Sequence, residues 1–215
     1  MHDQFRLPSG PLGHIAGWMM TRSNAGLADW GVDALRVVPG ETVLEIGAGP
    51  GVGLVRLAQA GAGRVIGIDP SGVMLQHARR RIEASGLGDR IELLEGAAER
   101  LPLPDGSVDA ILAVNSVPFW TDPAAGLAEA RRVLRAGGRI VTVLLPHWAR
   151  TAHDFERAAT AEHARLVAAG FDVLPPLVKP LRPIEVCLVA GTVGTAISGE
   201  PAAGDLAPAR AGCTS

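Results

Sequence analysis

The chain has 215 residues, of which 47% are hydrophobic and 20% are charged, and its formal net charge is -2. This length suits one domain with a modest addition, and the hydrophobic content is enough for a buried core. A nearly neutral chain has no general attraction to phosphate backbones, so we expect no nucleic-acid partner.

The cysteines and the N-terminus exclude further classes of protein. Cys187 and Cys213 are the only cysteines and lack CxxC spacing, so we expect no structural zinc, no disulfide framework and no bound metal. The N-terminus lacks the pattern of a secretory signal, and no apolar run reaches transmembrane length. We therefore expect a cytoplasmic protein without a membrane span, and the sequence leaves the oligomeric state open.

In chain order, the hydrophobic pattern predicts a helical segment followed by alternating strands and helices. Apolar residues at three- and four-residue spacing indicate helix within residues 12–38, ended by Pro39 and Gly40. Apolar runs predict seven strands, at residues 42–46, 64–68, 91–95, 108–114, 139–145, 171–174 and 185–193. Helices are expected from about Gly51, after Ser71, after Thr121 or Asp122, and from about Thr151.

The first strand runs directly into a glycine cluster, VLEIGAGPGVG at residues 43–53. Glycine tolerates positive φ and has no Cβ, so a ligand can approach this turn closely. The N-terminus of the following helix adds unpaired N–H groups and a positive dipole end. A dinucleotide fingerprint needs glycines at its first, third and sixth positions. The glycines here stand at 47, 49 and 51, with valine at 52, which disfavours NAD.

Several candidate ligand groups follow the predicted strands at their carboxyl ends. Glu45 and Gly47 end the first strand, Asp69 the second, and Asn115 the fourth, while Ala97 and Ala98 follow the third. Alternating strands and helices imply a parallel sheet with helices on both faces. Because ligands bind outside the carboxyl ends of such strands, these groups are expected to meet at one edge.

Four motifs in this order and spacing resemble the class I S-adenosylmethionine (SAM) dependent methyltransferases. They are VLEIGAGPGVG, IGIDPSGVMLQHAR, EGAAERLPLPDGSVDAILAVNS and EARRVLRAGGRIVTV, which together cover about residues 40–145. The branch that is most similar includes the ubiquinone/menaquinone-biosynthesis methyltransferases. The resemblance implies an α/β, Rossmann-like, seven-stranded sheet that is mostly parallel, with the last strand antiparallel and helices on both faces. It divides the chain into an N-terminal helical lid (1–38), a SAM-binding domain (39–193) and a tail (194–215) that we expect to be disordered.

The resemblance also implies the residues that contact SAM. They are Glu45, Gly47, Ala48, Gly49, Gly51, Asp69, Pro70, Met74, Ala97, Ala98, Glu99 and Asn115. Asp69 would accept the ribose hydroxyls, and Glu45 would reach the methionine amino group. Relatives commonly carry Asp where Ala97 stands, so the contact to the adenine amino group is missing unless Glu99 supplies it. We expect differently arranged adenine recognition.

Simpler interpretations of these residues remain open. Asp69 could cap a helix, and Glu45 could be an exposed acid at a strand end. Met74 at helical spacing is equally consistent with core packing. Asn115 could be a turn residue that ends its strand.

The implied reaction is methyl transfer from SAM to a small, apolar or aromatic acceptor. The sulfonium methyl is already electrophilic, so the protein mainly aligns the acceptor and excludes water. A neutral acceptor needs a general base, and His147 after the fifth strand is our candidate, although an exposed loop histidine is the alternative. A substrate pocket or anchors for the N-terminal helices would be formed by Trp18, Met19, Trp30, Phe119, Trp120 and Trp148. Competing hypotheses are a SAM-binding protein with another reaction, or a non-catalytic binding module.

Overall fold

The computed structural model describes residues 25–146, 148–181 and 184–193. Residues 25–35 are helical (α1). The other helices are α2 Val52–Gln59, α3 Gly72–Ser85, α4 Pro123–Val133 and α5 Ala152–Ala168. The strands are β1 Thr42–Ile46, β2 Arg64–Asp69, β3 Ile91–Glu95, β4 Val108–Val114, β5 Leu134–Leu144, β6 Asp172–Val173, β7 Leu177–Leu181 and β8 Ile184–Thr192.

All of these strands form one sheet in the order β3-β2-β1-β4-β5-β8-β6, with β7 also paired to β8. Strands β1 to β5 are parallel, whereas β8 runs antiparallel to β5. The mostly parallel sheet with an antiparallel last strand is therefore confirmed.

The sheet has one strand more than the sequence predicts. β6 and β7 pair antiparallel with successive parts of β8, Asp172 opposite Thr192 and Leu177 opposite Leu188. The two prolines at 175 and 176 separate β6 from β7. Proline has no N–H to donate to a neighbouring strand, so the pairing with β8 is interrupted at these two residues. The sequence analysis did not predict β7 as a strand.

The helix caps follow the expected chemistry. Ser71 accepts a hydrogen bond from the Met74 N–H at the start of α3, and Asp122 caps α4 by accepting two backbone N–H bonds. Thr151 and Asp154 form a capping box on α5. The predicted helix boundaries therefore hold to within a residue or two at these positions.

The fifth strand begins earlier than predicted. α4 ends at Val133, and Leu134 at once pairs with Val108. A register irregularity between Val108 and Ala110 accommodates this early start, before regular pairing resumes at Arg139. The apolar run predicted a strand that starts at Arg139, but pairing with β4 makes β5 start at Leu134.

Helices cover both faces of the sheet, and side chains of β1 alternate between two cores. Val43 packs in a cluster with Leu35 of α1 and Leu54 of α2. Leu44 faces the other way, into a cluster with Leu127 of α4. This alternation is the period-two pattern of a strand that is buried on both faces.

Helix α1 belongs to the first core. Leu35 is fully buried, and a Cβ at Gly31 would lie 2.9 Å from Cδ1 of Leu112, so the helix lies close to the sheet. Arg139 of β5 donates to the Leu35 carbonyl at 2.6 Å and pairs with Glu41. The predicted lid of residues 1–38 remains a prediction, and α1 within it packs in the first core.

Candidate functional site

A cavity of about 500 Å³ opens at the carboxyl ends of the central strands. Its volume is in the range of small-molecule sites, and its position is the one expected for ligands of open parallel sheets. Its lining includes Ala28, Glu45, Ile46, Gly47, Ala48, Gly49, Pro50, Val52, Gly53, Asp69, Pro70, Met74, Gly96, Ala97, Ala98, Glu99, Val114, Asn115, Ser116, Phe119, Trp120 and Thr121.

The glycine turn forms one wall of this cavity. Gly47 has φ 76°, and a Cβ there would overlap the side chain of Ser116, whose Oγ would lie only 3.0 Å away. The N–H groups of Gly47 and Ala48 both donate to the Ile68 carbonyl, which attaches the turn to β2. Only glycine satisfies both the conformation and the close approach at position 47.

Gly51 is the one predicted cofactor residue of this turn that does not line the cavity. It caps α2 in the left-handed region, at φ 77°. A Cβ at this position would lie 3.0 Å from the Cα of Ala78 in α3. Gly51 therefore allows the turn to pack against α3, and its predicted contact with the cofactor stays a prediction.

Asp69 lies directly against the glycine turn. Its Oδ2 accepts from the Gly49 N–H at 2.8 Å, and its Oδ1 accepts from the Ser71 N–H at 2.8 Å. Burial raises the pKa of Asp69, while these two N–H groups oppose the shift. The carboxyl group is oriented by backbone on both sides and remains on the cavity wall.

Glu45 is a buried acid, and one of its carboxyl oxygens lacks a hydrogen-bond partner. Burial, followed by the charge of Asp69, raises the pKa of Glu45 to about 8. Its Oε2 has no hydrogen-bond partner among the described residues. Gly53 makes room for the carboxyl group, because a Cβ at Gly53 would lie 2.7 Å from that oxygen. The other oxygen has a backbone partner at Leu54. A buried carboxyl with one unpartnered oxygen on a cavity wall is suited to a cationic ligand group.

The end of β4 is held in a strained, hydrogen-bonded conformation. Asn115 has φ 50°, its N–H donates to the Val143 carbonyl at 2.6 Å, and its Oδ1 accepts from the Leu145 N–H. Ser116 Oγ donates to the Ile46 carbonyl at 2.7 Å. These bonds join the ends of β1, β4 and β5 beside the cavity. Backbone strain of this kind is often found at functional sites.

Sequence reasoning missed Ser116 and Gly53 as site residues. Ser116 follows Asn115 without any motif of its own, and only the fold brings it against Gly47. Gly53 lies within the glycine-rich motif, so the additional glycine was a usable signal.

The loop after β3 carries no acid at position 97, where the side chain is an exposed alanine methyl. Ala98 is buried. Glu99 Oε1 accepts from the Thr121 N–H at 2.6 Å and from the Asp122 N–H at 3.0 Å. The Glu99 carboxylate therefore joins the loop after β3 to the loop after β4.

The predicted aromatic pocket is only partly assembled. Phe119 and Trp120 line the cavity, but Trp148 and Trp30 do not. Trp148 is 55% exposed and lies under the Arg157 guanidinium, and Trp30 packs against the core beside Lys179. Cation–π contacts and core packing hold these two rings outside this cavity, and their part in a substrate pocket stays a prediction.

Three predicted residues lie outside the described part of the chain, namely Trp18, Met19 and His147. The remaining predicted cofactor residues, Pro70 and the buried Met74 included, line the cavity together.

Within the described ranges no group of three or more potential ligand side chains could hold a metal ion. The described helices include none that is long and apolar enough to cross a membrane.

A doubly wound parallel sheet with a glycine turn after β1 and an acid at the end of β2 defines a nucleoside-binding α/β protein. The family model described as a methyltransferase domain matches residues 44–142. An uncharacterized methyltransferase, YdaC of Bacillus subtilis, is 30% identical over 179 residues, which are 82% of this chain and 97% of that protein. The chain belongs to the SAM-dependent methyltransferases, and its cofactor is SAM.

A further relative is similar to part of the chain, and a solved structure has a similar fold. The demethylmenaquinone methyltransferase of Clavibacter sepedonicus is 39% identical over 108 residues, which are 50% of this chain and 42% of that protein. The chain thus matches less than half of this relative. A SAM-dependent methyltransferase structure from Aquifex aeolicus superimposes with a TM-score of 0.66 at 22% identity, covering 78% of this chain and 89% of that one.

Proposed function

We propose that the protein transfers a methyl group from SAM to a small acceptor that is apolar or aromatic. The observation that carries this proposal is a single cavity with two kinds of wall. One wall presents Glu45 and Asp69, and the other presents Phe119 and Trp120. A site of this composition can hold a charged nucleoside and an apolar molecule side by side.

The residues present fit the cofactor. The unpartnered Oε2 of Glu45 suits the methionine amino group, and the Asp69 carboxyl suits the ribose hydroxyls. The turn at Gly47 and Gly49 leaves room for close approach, because neither residue has a Cβ. When bound, SAM supplies an electrophilic methyl group on its sulfonium.

The protein's own contribution is alignment and exclusion of water. The hydrogen bonds of Asn115 and Ser116 hold the end of β4 in one conformation, so the cavity wall there is preorganised. Phe119 and Trp120 are half-buried apolar groups that displace water from the cavity.

A general base, where the acceptor needs one, is proposed at His147. The titratable groups among the described lining residues are Glu45, Asp69 and Glu99. Glu45 and Asp69 are assigned to the cofactor, and Glu99 is held by two backbone N–H groups. In the sequence His147 comes three residues after Leu144, the last residue of β5.

The class of acceptor is supported by the relatives and by charge. The similar protein of Clavibacter sepedonicus is named for methylation of demethylmenaquinone, a quinone with an aromatic ring. The formal net charge of -2 gives no broad attraction to nucleic acid. We therefore place a ring-containing small molecule ahead of RNA or DNA as the acceptor, with Trp18 and Met19 as further candidates for a cover.

The test is incubation of the purified protein with SAM and a panel of quinols, phenols and amines. Formation of S-adenosylhomocysteine (SAH) together with a methylated acceptor supports the proposal. A changed acceptor without SAH would indicate a different reaction on the same fold. Tight SAM binding with no product across the panel would indicate a binding module.

The role of His147 is tested by His147→Ala, with His153→Ala as the matched control on the exposed start of α5. If His147 is the base, its removal lowers turnover by about a hundredfold or more and leaves SAH affinity unchanged. Equal turnover in the two variants would remove His147 from the mechanism.

A further inference from the structure

The amide of Asn115 is a polar group on the acceptor side of the cavity. Strand β4 lies between β1 and β5 in the sheet, and the loop after β4 carries Phe119 and Trp120, the apolar wall of the cavity. The two acids assigned to the cofactor, Glu45 and Asp69, belong to β1 and β2. Asn115 is the first residue after β4, is buried and lines the cavity. It therefore lies at the base of the apolar wall.

The hydrogen bonds of Asn115 fix the direction of its amide group. Its Oδ1 accepts from the Leu145 N–H at 3.2 Å. Because Leu145 is buried, this N–H needs an acceptor, and within the amide only the oxygen can accept. The Nδ2 group therefore points away from Leu145. The backbone at φ 50°, held by the N–H bond to the Val143 carbonyl, fixes where the side chain starts.

The Nδ2 group has no hydrogen-bond partner among the described residues. In that part of the chain the enclosed side-chain atoms without a partner are Oε2 of Glu45 and Oε1 of Glu162, so Nδ2 is not sealed inside the protein. Because Asn115 is a buried residue on the cavity wall, this nitrogen is reached from the cavity. The neighbouring Ser116 donates its only O–H to the Ile46 carbonyl. Of these two polar side chains, the amide is the one with a free donor.

A free N–H donor beside the acceptor distinguishes oxygen from nitrogen nucleophiles. An ionised hydroxyl has several lone pairs, so one can attack the methyl group while another accepts an N–H bond. A neutral amine has a single lone pair, which the methyl group takes, and its own N–H groups find no acceptor at Nδ2. The amide therefore suits a phenolate and offers nothing to an amine.

We propose that Asn115 selects an acceptor with an ionisable hydroxyl group on its ring, by donating from Nδ2 to the oxygen that receives the methyl group. The hydroxyl proton passes to the proposed base or to water. The bond from oxygen to the methyl carbon then forms as the bond from sulfur to that carbon breaks, and the electron pair of the broken bond stays on sulfur. The oxygen keeps part of its charge in the transition state, so the hydrogen bond stabilises it relative to the free hydroxyl. This inference rests on the proposed function and names the group that is methylated.

The first test measures binding to the SAH complex and needs no turnover. The probes are para-nitrophenol and para-nitroaniline, which share a ring and differ in hydroxyl and amine groups. The two ionisation states of para-nitrophenol absorb differently, so a pH titration reports the ionisation of the probe. The SAH complex should lower the pH of half ionisation by about one pH unit or more, because Nδ2 stabilises the phenolate. Half ionisation at the pH of the free probe, or tighter binding of para-nitroaniline, would overturn the inference.

The second test uses two variants that keep the backbone of Asn115. Asn115→Asp tolerates the left-handed conformation and retains an oxygen for Leu145, but replaces the donor with a carboxylate oxygen. Its kcat/KM should fall by about thirtyfold or more for phenols and should not fall for the matching anilines. Asn115→Gly suits φ 50° and removes the donor without adding charge, so it should show a smaller loss for phenols and no gain for anilines. Equal losses for phenols and anilines in Asn115→Asp would indicate a structural role and overturn the inference.

SAH affinity and the acceptor panel separate this inference from the proposed function. Asn115→Asp should bind SAH within about threefold of the wild-type protein, and a loss of about thirtyfold or more would assign the amide to the cofactor and overturn the inference. Methylation confined to amines would overturn the inference and leave the proposed function standing. No product from any acceptor, with SAM bound, would overturn the proposed function and this inference with it.

Discussion

Glu45→Gln tests the electrostatics of the site most directly. The amide has nearly the same shape as the carboxyl group but cannot ionise. In the unliganded protein the pKa of Glu45 is raised to about 8 by burial and by Asp69, so the side chain is mainly protonated at pH 7. A cationic amino group beside it favours the ionised form. We therefore expect binding of SAM or SAH to release a proton from Glu45.

The size of this release follows from the pKa. A group with a pKa of about 8 is roughly 0.9 protonated at pH 7 and about half protonated at pH 8. Ionisation on binding therefore releases about 0.9 proton at pH 7 and about 0.5 at pH 8. Glu45→Gln should abolish this release and lower affinity at pH 7 by about tenfold to a hundredfold, through loss of a charged hydrogen bond.

The same shift makes the unliganded protein sensitive to pH. An acid whose pKa is higher in the folded than in the unfolded state favours folding while it is protonated. That stability is lost as the pH rises from about 4.5 toward 8. The loss amounts to about 5 kcal/mol of unfolding free energy for Glu45. Glu45→Gln should flatten the stability profile in this window, as measured by chemical denaturation.

Calorimetry in buffers of different ionisation enthalpy measures the proton release. Glu162→Gln is the matched control, because Glu162 is also fully buried with a raised pKa but does not line the cavity. It should alter the pH dependence of stability and leave proton release on binding unchanged. Equal proton release by the wild-type protein and Glu45→Gln would refute the pairing of Glu45 with the amino group.

Two further perturbations test the glycine turn and the N-terminal segment. Gly47→Ala should lower the free energy of unfolding by about 2–3 kcal/mol, from left-handed strain plus overlap with Ser116. Gly86→Ala is the control for backbone strain alone, since Gly86 has φ 70° with open space around its Cβ position. Equal losses of unfolding free energy in the two variants would contradict a contribution from the overlap with Ser116. Removal of residues 1–24 leaves α1 in the core and should preserve folding and SAH affinity while abolishing turnover, as a lid predicts. A large fall in the melting temperature would instead identify that segment as an anchor.

The features predicted correctly from the sequence are set by local patterns. β1, β3 and β4 lie at the predicted residues, because short apolar runs between turn residues encode buried strands. Asp69 lies against Gly49 because parallel neighbouring strands bring their carboxyl ends to one edge. Strand positions and topology predicted six of the lining residues, and the family resemblance supplied the other predicted ones: the six are Glu45, Gly47, Asp69, Ala97, Ala98 and Asn115.

Tertiary structure alone decided the features that depend on distant partners. β7 is a strand because it pairs with β8. Trp148 is exposed and contacts the Arg157 guanidinium, although its position in the sequence led us to predict it in the pocket. Glu99 binds the backbone of a loop more than twenty residues away. The pKa of Glu45 likewise follows from burial and from Asp69. The periodicity of the sequence indicates which face of a helix or strand is apolar. Which element packs against that face, how exposed each side chain is and how its pKa shifts are decided only when the elements pack together.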